Sequence, residues 1–302
     1  MRRIGLWSAL TVSAILWTGS ATLAQKPKTV VLRQNEVAKV RVEKEVDYDM
    51  VDGGSLKLDL YRPATDGAIP HPGLIFVHGG GWSGGDKSEY MGKAQEMAEH
   101  GYVAITVNYR LAPKYHYPAA VEDVQAAVRW LRSHAIEYHL DPNRIGAVGS
   151  SAGGHLVSML GVTDTRSEPQ LAGQPSSRVN CVVDYFGRMD LTLEPTNHKF
   201  TEYRIAFIGK PKMEAMDLYE EASPVRHVDA QTVPFLLIHG WQDTQVEPVQ
   251  SFRMFEALQK AKIECSLLVL GNAGHGFGGV PGEDAWSAAR AFLDRHLHPT
   301  GQ

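Results

Sequence analysis

The chain has 302 residues, within reach of a single α/β domain, and 43% hydrophobic against 21% charged residues, the balance of a soluble globular protein and not of a disordered or fibrous one. A chain this long can bury roughly three quarters of its extended surface, so stability requires neither disulfides nor a structural metal. Basic residues number 30 and acidic ones 34, for a formal net charge of −4 with no long run of one sign; nothing here marks a nucleic-acid or anionic-membrane partner.

Residues 1–24 differ from the rest. Arg2 and Arg3 precede a largely apolar run from Ile4 to Trp17, and small or weakly polar residues follow, ending in Thr22-Leu23-Ala24. This is the layout of a secretory signal peptide cleaved after Ala24, which predicts a periplasmic or secreted protein. An uncleaved membrane anchor is the competing reading, although the apolar run falls short of the ~20 residues a spanning helix needs. Gln25, not Cys, follows the cleavage point, so no lipid anchor is expected there, and loss of two arginines leaves 28 basic against 34 acidic residues, a net −6.

Residues 25–302 are expected to form one domain. Val40, Val42, Val46 and Tyr48 share one parity, and Leu56, Leu58 and Leu60 do the same beyond the turn Asp52-Gly53-Gly54; period-two patterning around a turn predicts a β-hairpin. Short, continuously apolar runs follow, at Gly73–Val77, Val103–Val107, Ile145–Val148, Cys181–Tyr185, Pro234–Ile238 and Cys265–Leu270. Strands of a parallel sheet covered on both faces have this character. Helical spacing lies between and after them. Val121, Val124, Val128 and Leu131 form one stripe, opened by Pro118 at a first-turn position, and Trp286, Ala289, Leu293 and Leu297 form another. The alternation predicts an α/β fold, a mostly parallel eight-stranded sheet with helices on both faces and the antiparallel hairpin at its start. The segment about 188–233 carries no clean strand and is expected to be a small cap insertion. Cys181 and Cys265 fall in the sixth and eighth strands. Two strand spacings of about 4.8 Å exceed the roughly 7 Å limit for a disulfide, so two buried free thiols are expected.

Two glycine-rich turns carry the chemistry. Gly149-Ser150-Ser151-Ala152-Gly153-Gly154 follows the strand ending at Val148 and precedes the helix-like run His155–Leu160. A G-x-S-x-G sequence in that context is a nucleophile elbow, which needs small neighbours around a serine held on a sharp strand-to-helix turn. His78-Gly79-Gly80-Gly81-Trp82 ends an earlier strand. Glycine N–H groups of such a loop join that of the residue after the serine as an oxyanion hole, here Gly80, Gly81 and Ala152, with Gly79 an alternative to one of them. No Lys-Ser or Lys-Thr pair closes this loop as a P-loop would. An acid and a histidine should follow the serine in that order. Asp243 and His275 stand in loops after the seventh and eighth strands, at the strand ends where sites in open α/β sheets gather. Glu247, four residues beyond Asp243, competes as the acid or caps the next helix. His155 and His239 are expected to be structural.

With Asn108-Tyr109-Arg110-Leu111-Ala112-Pro113, Tyr117-Pro118-Ala119-Ala120 and Asp141-Pro142-Asn143-Arg144-Ile145, these motifs resemble the hormone-sensitive-lipase-like esterases over most of the chain. The resemblance implies the α/β-hydrolase fold and cofactor-free, metal-free hydrolysis of carboxylic esters, with Ser151, Asp243 and His275 as the triad. Two departures matter: Ser150 stands where that family usually has Asp, and the N-terminal residues are strand-patterned where it usually has cap helices. In these the chain looks more like bacterial feruloyl and acetyl-xylan esterases with an HGGGW loop. The expected substrate is a small or polysaccharide-attached ester of a short or aromatic acid. A lipase or exopeptidase on the same fold, or an inactive hydrolase-fold binding protein, are the rivals; oligomeric state is not legible.

Overall fold

A computed structural model of the chain describes residues 40–164, 173–196 and 198–298. The signal-peptide reading of residues 1–24 lies outside the described residues. In chain order the strands and helices are β1 (Val40–Val51), β2 (Gly54–Pro63), β3 (His71–Val77), α1 (Met91–Glu99), β4 (Val103–Val107), α2 (Ala119–Ser133), β5 (Leu140–Ser150), α3 (Ala152–Val162), β6 (Cys181–Tyr185), α4 (His198–Ile208), α5 (Met216–Glu221), β7 (Phe235–Gly240), α6 (Val249–Lys260), β8 (Cys265–Leu270) and α7 (Gly279–Leu297).

The eight strands form one sheet in the order β1-β2-β4-β3-β5-β6-β7-β8. β2 pairs antiparallel with both β1 and β4, and every later pairing is parallel. The expected α/β architecture is therefore borne out. β4 and β6 are buried along their whole length, which explains why they carry apolar runs and no alternation. Two hydrophobic clusters flank the sheet. One packs Val124 and Val128 of α2, Leu156 and Leu160 of α3, and Met254 and Leu258 of α6 against Ile75 and Ile105. The other packs Met97 of α1 and Trp286, Leu293 and Leu297 of α7 against Leu74, Phe76 and Val148. Each fully buried Leu in these stripes contributes about 1.5–3 kcal/mol. No helix among the described residues is long and apolar enough to cross a membrane.

Three expectations need correction. The single parity assigned to β1 is broken: Val42 opposes Tyr61 while Val46 opposes Leu58, so one extra residue is accommodated between Glu43 and Val46. Val40 consequently packs in the second cluster, and Val46 and Tyr48 in the first. A bulge of this kind moves the side chains that follow it to the other face, until a second register shift between Asp47 and Asp49. Pro118 stands at the N-cap of α2 and not inside its first turn. Its carbonyl accepts from Val121 and Glu122, and its lack of an N–H costs the helix nothing there. Of the two free thiols, Cys181 is buried but Cys265 only half-buried. β8 is an edge strand, whereas β7 lies between the two cysteines as expected.

Between β6 and β7 the chain carries α4 and α5 with short 3₁₀ turns and no strand among its described residues. Phe207 of α4 stacks on Trp82 at 4.6 Å, tying this segment to the loop after β3.

Candidate active site

The loop after β3, the β5–α3 turn and the loops after β7 and β8 meet at the carboxyl ends of the parallel strands. Ser151 occupies the N-cap of α3 with φ 55° and ψ −117°, a conformation that costs a non-glycine residue about 1–3 kcal/mol and persists only where the surroundings enforce it. Its N–H donates to the Tyr185 carbonyl at 2.8 Å, and its carbonyl accepts from His155 N–H at 3.0 Å. The turn also depends on Gly153. A Cβ there would lie 2.1 Å from the Val77 carbonyl oxygen, so only glycine lets α3 start this close to the end of β3. α3 itself is buried on all sides, the character of a core helix.

His275 Nε2 stands 3.1 Å from Ser151 Oγ, and His275 Nδ1 2.7 Å from Asp243 Oδ2. Asp243 is buried, and its other oxygen accepts from the N–H groups of Gln245 at 2.8 Å and Val246 at 2.9 Å. Burial alone would raise its pKa, but hydrogen bonds from His239 and His275, the charge of His275 and the Val246 N–H outweigh it and hold the carboxyl well below the usual carboxylate range. An acceptor-only carboxylate fixes the tautomer: His275 carries its proton on Nδ1 and turns the Nε2 lone pair to Ser151. The three residues chosen from the sequence thus meet at hydrogen-bonding distance.

Glu247 does neither of the things expected of it. Its Oε1 accepts from the N–H and hydroxyl of Thr196, both at 2.7 Å, and Oε2 faces Arg188 Nη2 at 3.4 Å. Pro248 is the N-cap of α6 and makes no side-chain cap. Tertiary contacts with the segment after β6 have claimed the carboxylate. His239 and His155 are buried and bonded as structural residues would be. His239 binds the Ser251 hydroxyl and the Val246 carbonyl. His155 receives the Trp82 indole N–H at 3.2 Å and donates to the Ala222 carbonyl at 2.7 Å; burial pulls its pKa down to about 4.

The glycine loop is held from behind. His78 Nδ1–H donates to the Gly79 carbonyl at 2.8 Å. Tyr109 stacks on that imidazole at 4.4 Å, and its hydroxyl donates to the carbonyls of His78 and Gly79. The Gly80 carbonyl accepts from the N–H groups of Ser83 and Gly84. In a trans peptide the N–H opposes the C=O, so these bonds turn the amides of Gly80 and Gly81 away from the protein body. Gly80 has φ 103°, and a Cβ on it would lie 2.2 Å from the Gly84 oxygen. Ala152 opens α3, and a first-turn amide has no acceptor within its helix.

Gly79, Gly80, Gly81, Ser151 and His275 line a cavity of about 620 Å³. Its wall also includes Glu89, Phe186, Lys199, Phe200, Tyr203, Thr244 and Gln245, none of which was among the site residues expected from the sequence. Phe186 had a usable signal, since it follows β6 at the same sheet edge as the other site residues; its ring packs 4.5 Å from that of His275. Lys199, Phe200 and Tyr203 had none, because α4 has no clean amphipathic stripe. The quoted motifs farther from the cleft are structural: Arg110 grips Asp123, and Arg144 ties Asp141 to the carbonyls of Leu297 and Pro70. Among the described residues no group of three or more His, Cys, Asp or Glu is arranged to hold a metal ion.

A mostly parallel eight-stranded sheet with a serine, a histidine and an aspartate gathered at its strand ends defines the α/β-hydrolase class. Residues 58–258 match the family described as BD-FAE, and the chain belongs to that family. It is 31% identical over 243 residues to esterase LipC of Mycobacterium tuberculosis, a match covering 78% of this chain and 60% of LipC. The chain spans about half to three fifths of the length of the first curated relatives it matches. Among solved structures, a thermophilic esterase of the planctomycete Thermogutta terrifontis with propionate bound superposes with a TM-score of 0.72 at 28% identity, covering 88% of this chain and 97% of that one. A truncated carbohydrate esterase from gut microbiota gives 0.74 at 26% identity, covering 88% and 99%. The family resemblance drawn from the motifs is borne out.

Proposed function

We propose that the protein is an exported serine carboxylesterase that cleaves esters of short-chain or aromatic acids, acetyl and feruloyl groups among them, through an acyl-enzyme on Ser151. The observation that carries this reading is the continuous relay from Asp243 through His275 to Ser151, at 2.7 and 3.1 Å, on a strained turn facing the glycine loop. His275 Nε2 takes the Ser151 proton as Oγ attacks the ester carbonyl. Asp243 stabilises the imidazolium that forms. The N–H groups of Gly80, Gly81 and Ala152 receive the oxyanion, with α3 aiming its positive end at the same charge. His275 then protonates the departing alcohol, and a water activated in the same way releases the acid. No cofactor or metal takes part in these steps.

Relatives support the coarser part of the reading by name, as esterases. Propionate bound in the T. terrifontis enzyme and the likeness to a gut-microbiota carbohydrate esterase favour a short acyl group and a sugar-borne alcohol. In this proposal residues 188–233 act as a small cap, with Tyr203 and Phe200 over the cleft, and residues 1–24 direct export before removal after Ala24. Ser151→Ala is expected to abolish turnover of p-nitrophenyl acetate and covalent labelling by a fluorophosphonate while leaving the melting temperature within a few degrees. Turnover surviving in that variant, or a wild-type protein that neither turns over nor labels, refutes the assignment.

A further inference from the structure

Arg188, three residues beyond β6, is a buried cation that the ester-cleaving steps leave unused. Its side chain is 3% exposed, Nη2 meets Glu247 Oε2 at 3.4 Å, and Nη1 has no hydrogen-bond partner among the described residues. A guanidinium keeps its charge at every working pH. Resting on the esterase reading, we propose that Arg188 is a positioning residue of the relay: its fixed charge, set against the loop that carries Asp243, disfavours the imidazolium of His275 and sets the pH at which the base becomes active.

The chain fixes where that charge stands. Before it, Phe186 N–H donates to the Ile238 carbonyl at 2.8 Å and Gly187 N–H to Asp184 Oδ1 at 2.9 Å. After it, the N–H groups of Met189 and Asp190 both reach Gln250 Oε1, at 2.8 and 2.7 Å. Arg188 is thus held by its backbone on both sides, two residues from the Phe186 ring that packs 4.5 Å from His275. Glu247 is the counter-charge. It lies four residues past Asp243 on the same loop, and its other oxygen is taken by the N–H and hydroxyl of Thr196. Between the two acids, Thr244 and Gln245 line the catalytic cavity. The cation therefore acts on this loop through Glu247 directly and on Asp243 through space.

Other elements bring charge to the same place. From α4, Arg204 repels Arg188 but is bound to Glu194 at 2.5 Å and to the carbonyls of Leu191 and Leu193. From α3, His155 stays neutral above its pKa of about 4. From β7, His239 faces Asp243 Oδ2 at 3.4 Å, with its ring nitrogens on the Ser251 hydroxyl and the Val246 carbonyl. Glu89 and Lys199 stand on the cleft side of His275, both exposed and so screened by solvent and salt. Burial pulls Arg188 below the ordinary guanidinium value, and the carboxylates of Glu247 and Asp243 oppose this. The interaction with Asp243 is mutual. The cation favours the Asp243 carboxylate and opposes a second positive charge on the imidazole beside it. Glu247 acts with the opposite sign and offsets part of the effect.

The test is the acid limb of the pH profile of kcat/KM for p-nitrophenyl acetate, which reports the base in the free enzyme. Wild type is compared with Arg188→Met, Arg188→Lys, Glu247→Gln and the double variant Arg188→Met/Glu247→Gln. Arg188→Met should raise the midpoint of that limb by about half a pH unit or more, the scale of one charge acting across protein at an effective dielectric of about 20. Below the midpoint this reads as a loss of about threefold or more, while the plateau at higher pH is not lowered in proportion. Glu247→Gln should move the midpoint down, the double variant should return it toward wild type, and Arg188→Lys should leave it in place. The shifts should persist in high salt, because a buried pair is little screened. Loss of packing alone would lower the plateau and the melting temperature and move neither midpoint. Should Arg188→Met fail to fold, the direction of the Glu247→Gln shift decides alone. A midpoint unmoved in a folded Arg188→Met, or moved the same way by both single variants, overturns the role of Arg188 while leaving the esterase standing. Absence of wild-type turnover on every ester overturns the esterase reading and this role with it.

Discussion

Replacing Asp243 by Asn tests the relay most sharply, because the surroundings dictate how the amide must sit. Oδ1 accepts two backbone N–H groups, from Gln245 and Val246. In the variant the amide oxygen has to take that place, which leaves the NH₂ group facing His275 Nδ1, where Oδ2 now accepts at 2.7 Å. His275 must answer with a lone pair on Nδ1, moving its proton to Nε2. It then faces Ser151 Oγ as a donor and cannot act as its base. Flipping the amide restores the tautomer but sets NH₂ against both backbone donors, at about 1–3 kcal/mol for each buried group left unpaired, or about 2–6 kcal/mol together. Loss of the negative charge that stabilises the imidazolium adds to this. The expected fall in kcat at pH 7 is therefore about 10³–10⁴-fold, or about 4–5.5 kcal/mol at 1.36 kcal/mol per decade. Stopped-flow acylation with p-nitrophenyl acetate, beside a thermal melt that confirms folding, measures it. A folded Asn variant within tenfold of wild type would refute both the relay and the identity of the acid.

Three further outcomes follow from the same geometry. Gly80→Ala sets a Cβ against the Gly84 carbonyl at a left-handed position and should lower kcat by about 10²–10³, the usual effect of losing one oxyanion donor, with KM changed less; an unchanged kcat would remove this loop from the mechanism. Glu247→Gln should leave kcat within about threefold but cost about 1–3 kcal/mol in urea unfolding, since it weakens the tie to Thr196 and leaves the buried Arg188 without its carboxylate; a loss of activity matching that of Asp243→Asn would instead make Glu247 the acid. Asp184 is fully buried with Oδ2 unpaired, and burial, opposed by the Gly187 N–H, raises its pKa well above the usual value. The folded state then keeps a proton that the unfolded state releases near pH 4, so this group's contribution to stability is full below pH about 4 and declines as pH rises toward its folded pKa. The melting-temperature advantage of Asp184→Asn over wild type should therefore widen from pH 4 to pH 8, and parallel melting curves would count against a buried neutral acid.

The contrast between what was and was not legible in the sequence has a physical basis. Strands and catalytic candidates were visible because their causes are local. β4 and β6 are buried on both faces and must be apolar throughout, and an elbow serine needs glycines within two or three residues of it. Asp243 and His275 could be chosen because each follows a recognisable strand, and strand ends are where this topology gathers its loops. The order in which the strands assemble, with β4 between β2 and β3, left no mark in the residues themselves.

The break in β1 shows the other case. Glu45 holds φ 57° within an alternating run, and its N–H donates to Asp59 Oδ1 at 2.9 Å across the hairpin. Lys87, from a 3₁₀ turn more than forty residues away, bonds both Glu45 and Asp59 with its own side chain 8% exposed. Alternation can report which residues face a core, but a bulge is decided by the partner that gains from it. Here that partner is a buried ammonium that needs two carboxylates, because an unpaired buried charge costs more than a distorted strand. Glu247 follows the same rule, drawn away from the helix start by Thr196 and Arg188. In both places a charged side chain serves a partner distant in sequence, so local patterning errs where a buried cation sets the terms.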